Sequence, residues 1–144
     1  MGRFRAFVCW WLAAYVAAHA MQSRPTFRTI DKGIQSAIDV RREAIVRTLP
    51  DWAALWKQHT PDRPVPPVDF DREMVVAVFA GSRPTAGYSV EVTSVEERDG
   101  AVVVSYRELA PSRDAVTAQM LTSPYHVIAV ATRAGEVSFR KIPD

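Results

Sequence analysis

The clearest pattern of hydrophobic and polar positions lies in the middle of the chain, over residues 74–95. Residues 74–80 are apolar at every position, as in a strand that is covered on both faces. From Tyr88 onwards apolar and polar residues alternate, which is typical of a half-exposed strand. The pattern therefore predicts a hairpin, with a central strand, a loop over residues 81–87 and a second strand.

A helix is predicted between this hairpin and the N-terminal third of the chain. Thr48 suits the N-cap, Pro50 the first turn, and Asp51 completes a capping box three residues after Thr48. The helix is expected to end at about His59. Four residues recur at helical spacing and predict the face that packs on the core: Trp52, Leu55, Trp56 and His59.

Further strands are predicted on both sides of these elements. They are expected over residues 26–30, 42–47, 101–109, 126–131 and 136–141. Asp99 and Gly100 predict a type I′ turn before the strand that begins at residue 101. Residues 115–120 are ambiguous between a short strand and a loop. Together the elements predict a mainly β fold with one α-helix (α+β), either a small antiparallel sandwich or a rolled sheet.

The first twenty residues have the composition of a secretory signal peptide. Arg3 and Arg5 precede an apolar run over residues 6–17, and Ala18 and Ala20 form an A-x-A cleavage site. We expect cleavage after Ala20 and export to the periplasm or the medium. The apolar run is shorter than the roughly 20 residues of a membrane-spanning helix, so no stable membrane insertion is expected after cleavage.

The expected mature chain consists of a connector over residues 21–25 and one domain over residues 26–144. Of the 18 basic residues, Arg3 and Arg5 leave with the signal segment, so 16 basic and 16 acidic residues remain. A neutral domain is not expected to bind nucleic acid. Cys9 is the only cysteine and also lies in the signal segment, so the mature chain is expected to have no disulfide.

Few groups in the mature chain suggest catalysis. His59 and His126 are its only histidines, so a zinc or copper site is not expected. Ser82 lacks the second glycine of a nucleophile elbow, and no phosphate-loop motif occurs. We therefore expect no cofactor and no enzymatic activity. A hydrolase would need an acid or a histidine beside Ser82 or Thr85.

The loop over residues 81–87 allows two interpretations. It is longer than a tight hairpin requires, and Pro84 and Gly87 suit a loop that is shaped for backbone reasons alone. Alternatively, Arg83 and Thr85 are exposed on a loop stiffened by proline and fill a partner's cleft. The residues by themselves leave both interpretations open.

Aromatic residues give an alternative function, a module that binds a small ligand or a glycan. Trp52, Trp56 and Tyr125 are the candidates for stacking against a sugar. The helical spacing of the two tryptophans favours a core role. Exposed aromatic faces would support this alternative, and full burial would exclude it.

Several segments, in this order and spacing, resemble the PrcB C-terminal domain family: residues 52–56, 68–70, 74–80, 83–88 and 122–127. The resemblance implies a non-hydrolytic accessory or regulatory subunit of a protease complex. The family loop usually has glycine where Ala86 stands, so a positive φ angle there would be strained. Pro84, Thr85, Gly87 and Tyr88 also resemble the inhibitory loop of chagasin-type protease inhibitors, from which Arg83 departs.

The loop composition and the resemblance together predict a surface that binds a protein partner, with a protease as the implied partner. It is expected to combine the loop over residues 82–88 with the neighbouring loop over residues 122–126. The predicted partner-binding residues are Ser82, Arg83, Pro84, Thr85, Ala86, Gly87, Tyr88, Pro124, Tyr125 and His126.

Overall fold

The computed structural model describes residues 27–144, which form seven strands and one helix. The predicted signal peptide and connector lie outside the described residues. The elements are β1 (Arg28–Gly33), β2 (Arg42–Val46), α1 (Leu49–His59), β3 (Glu73–Phe79), β4 (Ser89–Arg98), β5 (Ala101–Leu109), β6 (Tyr125–Ala131) and β7 (Val137–Lys141).

The strands form two sheets, and the mainly β fold with one helix is confirmed. One sheet has the order β1-β6-β3-β2 with antiparallel neighbours, and the other has the order β4-β5-β7. The β4–β5 pair is antiparallel, whereas β5 and β7 are parallel. The result is a small sandwich rather than one rolled sheet, and the parallel pair departs from the expected antiparallel arrangement.

The predicted hairpin of β3 and β4 is wrong, because the two strands belong to different sheets. β3 lies between β2 and β6, while β4 pairs with β5. The prediction of a central first strand is confirmed, since β3 is buried from Met74 to Phe79. Because β2 and β6 occupy both edges of β3, β4 pairs with β5 in the second sheet. The long loop after β3 makes that crossing.

Two hydrophobic cores hold three layers together. One core lies between the sheets and the other lies between α1 and the four-stranded sheet. β3 contributes to both cores because its successive side chains point to opposite faces of the sheet. Those facing the second sheet are Met74, Val76 and Val78. Those facing α1 are Val75, Ala77 and Phe79. Burial of large apolar side chains on both faces makes β3 the central element of the domain.

The local signals for α1 and for the turn between β4 and β5 are confirmed. The Thr48 hydroxyl accepts a hydrogen bond from the Asp51 N–H at 3.3 Å and donates one to the Asp51 carboxylate at 2.7 Å. Asp99 and Gly100 have φ angles of 53° and 79°, as a type I′ turn requires. Residues 115–120 form no strand, and β1 extends to Gly33 rather than ending at residue 30.

Candidate partner-binding surface

Three connecting segments meet at one end of the sandwich. They are residues 34–41 between β1 and β2, residues 81–88 between β3 and β4, and residues 110–124 between β5 and β6. Strand directions place all three at the end where β3 stops and β6 starts. We call these three segments the loop end.

The two predicted loops are joined directly. The Arg83 N–H donates to the Thr122 carbonyl at 2.7 Å, and the Thr122 N–H donates back to the Arg83 carbonyl at 3.0 Å. The Thr122 hydroxyl donates to the Thr85 carbonyl at 2.9 Å. The Ala86 N–H donates to the Ala118 carbonyl at 3.0 Å. Residues 82–88 and the segment before β6 therefore form one continuous surface.

Arg83 is not the freely exposed group that the second interpretation of the loop requires. Its guanidinium forms a 2.8 Å ion pair with Glu108, and its side chain is 23% exposed. Lys141 and Arg41 also pair with this carboxylate. Burial favours a raised pKa for Glu108, but hydrogen bonds from Arg83 and Lys141 hold the pKa below its ordinary value. Arg83 thus anchors the loop to β5.

The exposed tip of the loop consists of Ser82, Pro84 and Gly87. Thr85 is half-buried, and its hydroxyl donates to the Ala86 carbonyl at 3.0 Å. Ala86 and Tyr88 are half-buried as well. The loop meets its need for positive φ angles with Gly81 at 79° and Gly87 at 92°. Ala86 has no positive φ angle, so the strain anticipated there does not arise.

The predicted site residues on the second loop lie beneath the surface. Pro124, Tyr125 and His126 are all buried. Tyr125 and His126 open β6, a central strand of its sheet, so neighbouring layers cover their side chains. The prediction that these three residues contact a partner directly is corrected: they support the loop end from below.

Exposed apolar side chains are the feature of this surface that sequence reasoning missed. Five of the seven large hydrophobic residues exposed in the described chain lie at the loop end: Ile34, Val40, Val116, Met120 and Leu121. Val116 is fully exposed, and Leu121 is 73% exposed. The available signal was that these residues occur in segments without helical or strand periodicity. Apolar groups concentrated in this way are typical of interaction surfaces.

A partly buried polar cluster fixes the loop end to α1. The Asp31 carboxylate accepts hydrogen bonds from Arg63 at 2.7 Å, Tyr125 at 3.1 Å and His59 at 3.4 Å. The other ring nitrogen of His59 lies 2.8 Å from the Ser36 hydroxyl. Burial, followed by the charge of Asp31, raises the pKa of Tyr125 to about 12. Burial lowers the pKa of His59, although Asp31 opposes this shift.

The order serine, histidine, aspartate in this cluster resembles a hydrolytic triad, but the surrounding backbone serves the fold. An acyl-transfer site needs N–H groups free to bind an oxyanion. Here the N–H groups of Ser36, Ala37 and Ile38 donate to the Ser123 carbonyl, the His59 carbonyl and the Ser36 hydroxyl. All three nearby donors are therefore used inside the protein, which supports a structural role for the cluster.

The aromatic residues proposed for ligand stacking are buried. Trp52 is 0% exposed, Trp56 is 1% exposed and Tyr125 is 5% exposed. The two indole N–H groups donate to the carbonyls of Pro66 and Arg63 in the proline-rich connection. A glycan-binding face built from these three residues is therefore wrong.

The described residues contain neither a metal-binding group nor a membrane-spanning helix. Within residues 27–144, no three or more side chains of His, Cys, Asp or Glu are placed to hold a metal ion. The helix of this region lacks the length and apolar character needed to cross a bilayer.

The fold and the surface define a class: a mainly β domain of two stacked sheets and one helix, with a loop end that carries apolar groups. The family model described as PrcB C-terminal matches residues 74–131, which extend from β3 to β6. The resemblance to the PrcB C-terminal domain family is thus confirmed over this segment, while residues 52–56 and 68–70 lie outside it. No curated protein and no solved structure matches the chain.

Proposed function

We propose that this protein is an exported, non-enzymatic domain that binds a protein partner through the loop end. The match of residues 74–131 to the PrcB C-terminal family supports association with a protease complex, and the role proposed in such a complex is accessory or regulatory. The observation that carries the proposal is the continuity of the two loops. The joined loops carry exposed Pro84 and the exposed side chains of Val116 and Leu121.

The absence of enzymatic activity is part of the proposal. Ser82 is exposed, but no histidine or carboxylate forms a hydrogen bond with its hydroxyl in the described part of the chain. The hydroxyl of Thr85 is directed to a backbone carbonyl. Ser36 has a histidine partner, but the donors beside it are occupied. These arrangements support binding rather than catalysis as the role of the loop end.

Introducing two carboxylates at exposed apolar positions of the loop end is expected to abolish partner binding while the fold is retained. The double variant Val116→Asp/Leu121→Asp changes side chains that are exposed, so little stability is lost. We expect at least a tenfold loss of recovered partner, because charges replace apolar groups at the centre of the contact. The measurement is affinity purification of the tagged protein from its own cells, with the bound protease identified by mass spectrometry and an active-site probe.

The matched control for this experiment places the same change elsewhere. Leu49 and Val65 are also exposed large hydrophobic residues, but they lie outside the loop end. The variant Leu49→Asp/Val65→Asp is expected to recover the partner as the wild type does. Equal recovery with both double variants would show that the partner binds another surface. Arg83→Ala is less suitable, because it breaks the ion pair with Glu108.

Export is expected to leave a mature chain that begins at Met21. Intact mass measurement of the protein recovered from the periplasm or medium tests this directly. The change Ala20→Glu removes the small residue before the cleavage site and is expected to leave the precursor uncleaved in the membrane fraction. Recovery of an exported protein that still contains residues 1–20 would contradict the prediction.

A further inference from the structure

The outer edge of β2 carries hydrogen-bonding groups that the described chain does not use. β2 pairs with β3 along one edge only and ends the four-stranded sheet. In an edge strand, alternate residues direct their N–H and C=O groups outward. Within residues 27–144, no backbone group from outside the sheet forms a hydrogen bond with residues 42–46. This edge is therefore available for pairing with another strand.

A groove follows this edge, and α1 forms its second wall. Its volume is about 410 Å³. Small side chains at Ala44 on β2 and Ala54 on α1 leave the space between the two elements open. The groove is lined on the strand side by residues 42–46 and on the helix side by Asp51, Ala54, Leu55 and Gln58. We call it the β2–α1 groove.

The edge strands β1, β4 and β7 differ from β2 in their surroundings. The edge of β4 is covered at Val92, whose N–H donates to the buried ring of His126 at 2.8 Å. β1 and β4 are also linked by an ion pair between Lys32 and Glu91 at 3.7 Å. β7 has five residues, as β2 does, and both strands bear exposed charged residues, so length and charge do not distinguish these two edges. Among these edges, that of β2 has a groove beside it.

Charges at the two ends of the β2–α1 groove indicate what it binds. Arg42 donates to the uncharged amide of Gln58 at 2.8 Å and forms no ion pair within the described residues. Asp51 bonds to the hydroxyl of Thr48 and has no cationic partner there either. Arg42 opens β2, whereas Asp51 lies just beyond its end. Among the described residues, the groove thus has a cation without an ion-pair partner at one end and a carboxylate without one at the other.

We propose that the β2–α1 groove binds an extended segment of a partner protein as an additional antiparallel strand. Backbone pairing with β2 supplies the hydrogen bonds, as in other cases of strand addition. A small side chain of the segment faces Ala44 and Ala54. A basic residue two positions earlier faces Asp51, and an acidic residue two positions later faces Arg42. These five residues span four rises of about 3.3 Å, or about 13 Å, which matches the five residues of β2. This surface shares no residue with the loop end, and its test does not depend on the function proposed there.

A synthetic peptide tests the proposal directly. The probe is a fluorescein-labelled peptide with the sequence Thr-Lys-Val-Ala-Val-Glu-Thr, titrated with the full chain and followed by anisotropy. We expect saturable binding that Arg42→Glu weakens at least tenfold, because two carboxylates then meet at one end of the groove. The peptide with lysine in place of glutamate is expected to recover affinity for this variant. Arg140→Glu, an exposed change on β7, lies outside both the groove and the loop end; it is the matched control and is expected to leave binding unchanged.

Backbone pairing is tested with two N-methylated forms of the peptide. Methyl groups on the residues whose N–H groups face β2 are expected to abolish binding, and methyl groups on the alternate residues are expected to leave it intact. Ala54→Trp is expected to fill the groove and to abolish binding while the thermal transition is retained. The proposal is overturned by an absence of saturable binding, or by equal affinities for the two methylated peptides. It is also overturned if light scattering shows a dimer of the full chain that Ala54→Trp converts to monomers, because the groove then belongs to a second copy.

Discussion

Replacing Asp31 with alanine is expected to lower the free energy of unfolding by about 3 kcal/mol. The carboxylate accepts hydrogen bonds from Arg63, Tyr125 and His59. Tyr125 and His59 are 5% and 2% exposed, so these two donors have little access to water when the acceptor is removed. Each buried donor left without a partner costs about 1–3 kcal/mol. Two such donors account for the expected loss even if the exposed Arg63 contributes little.

Urea denaturation of Asp31→Ala and of the wild type measures this loss. The control is Asp114→Ala, because Asp114 is exposed and its carboxylate has no hydrogen-bond partner in residues 27–144. Its stability is expected to stay within about 0.5 kcal/mol of the wild type. A loss below about 1 kcal/mol for Asp31→Ala would mean that the donors find other acceptors.

The same cluster matters for the loop end because it joins three elements. Asp31 belongs to β1, His59 ends α1 and Tyr125 opens β6. Ser36, which lies in the first segment of the loop end, bonds to His59 at 2.8 Å. Loss of Asp31 therefore removes support from a surface that it does not itself form. Partner binding and stability are expected to fall together in this variant, whereas Val116→Asp/Leu121→Asp separates them.

Features encoded by neighbouring residues were predictable from the sequence. The bounds of α1 follow from the cap at Thr48 and from the spacing of the two tryptophans, which local geometry fixes. The β4–β5 turn follows from Asp99 and Gly100, because a type I′ turn needs positive φ angles at both positions. β5 was predicted with the bounds that the structure has. Each of these predictions uses only contacts within a few residues.

The pairing of strands was not predictable in the same way. Apolar runs and alternation show which faces of β3 and β4 are buried, but they do not identify the neighbours of either strand. β3 takes β2 and β6 as partners, and the nearer candidate, β4, lies in the other sheet. The choice depends on how two sheets and a helix share one core, which no single segment encodes.

The exposure of side chains at the loop end was not predictable, for a related reason. One interpretation of the loop requires an exposed Arg83, but its partner Glu108 comes from the end of β5. Conversely, Val116 and Leu121 lie in an aperiodic segment, where the pattern gave no direction for their side chains. In both cases the tertiary arrangement of segments distant in sequence decides which groups reach solvent. The sequence therefore located the candidate surface but not the residues that form its exposed part.

His126 is expected to make the domain sensitive to acid above the range in which carboxylates titrate. Its ring accepts the Val92 N–H at 2.8 Å and lies 2.8 Å from the Thr29 hydroxyl. Burial, and then the charge of Lys32, lower the pKa of His126 from 6.5 to about 4. Between these two values the unfolded chain binds a proton that the folded chain does not. The contribution of neutral His126 to the free energy of unfolding is therefore complete above pH 6.5 and is lost as the pH falls towards 4.

Between pH 7 and pH 5, this one histidine is expected to lower the free energy of unfolding by about 2 kcal/mol. The measurement is urea denaturation at both pH values. The comparison is His126→Asn, because an asparagine oxygen lies near the position of the ring nitrogen that accepts the Val92 N–H and does not titrate. This variant is expected to be less stable at pH 7 but to lose about 2 kcal/mol less on acidification. Burial also lowers the pKa of His59, but His59 is present in both proteins, so its effect cancels. Equal losses in the two proteins would assign the acid sensitivity to other groups.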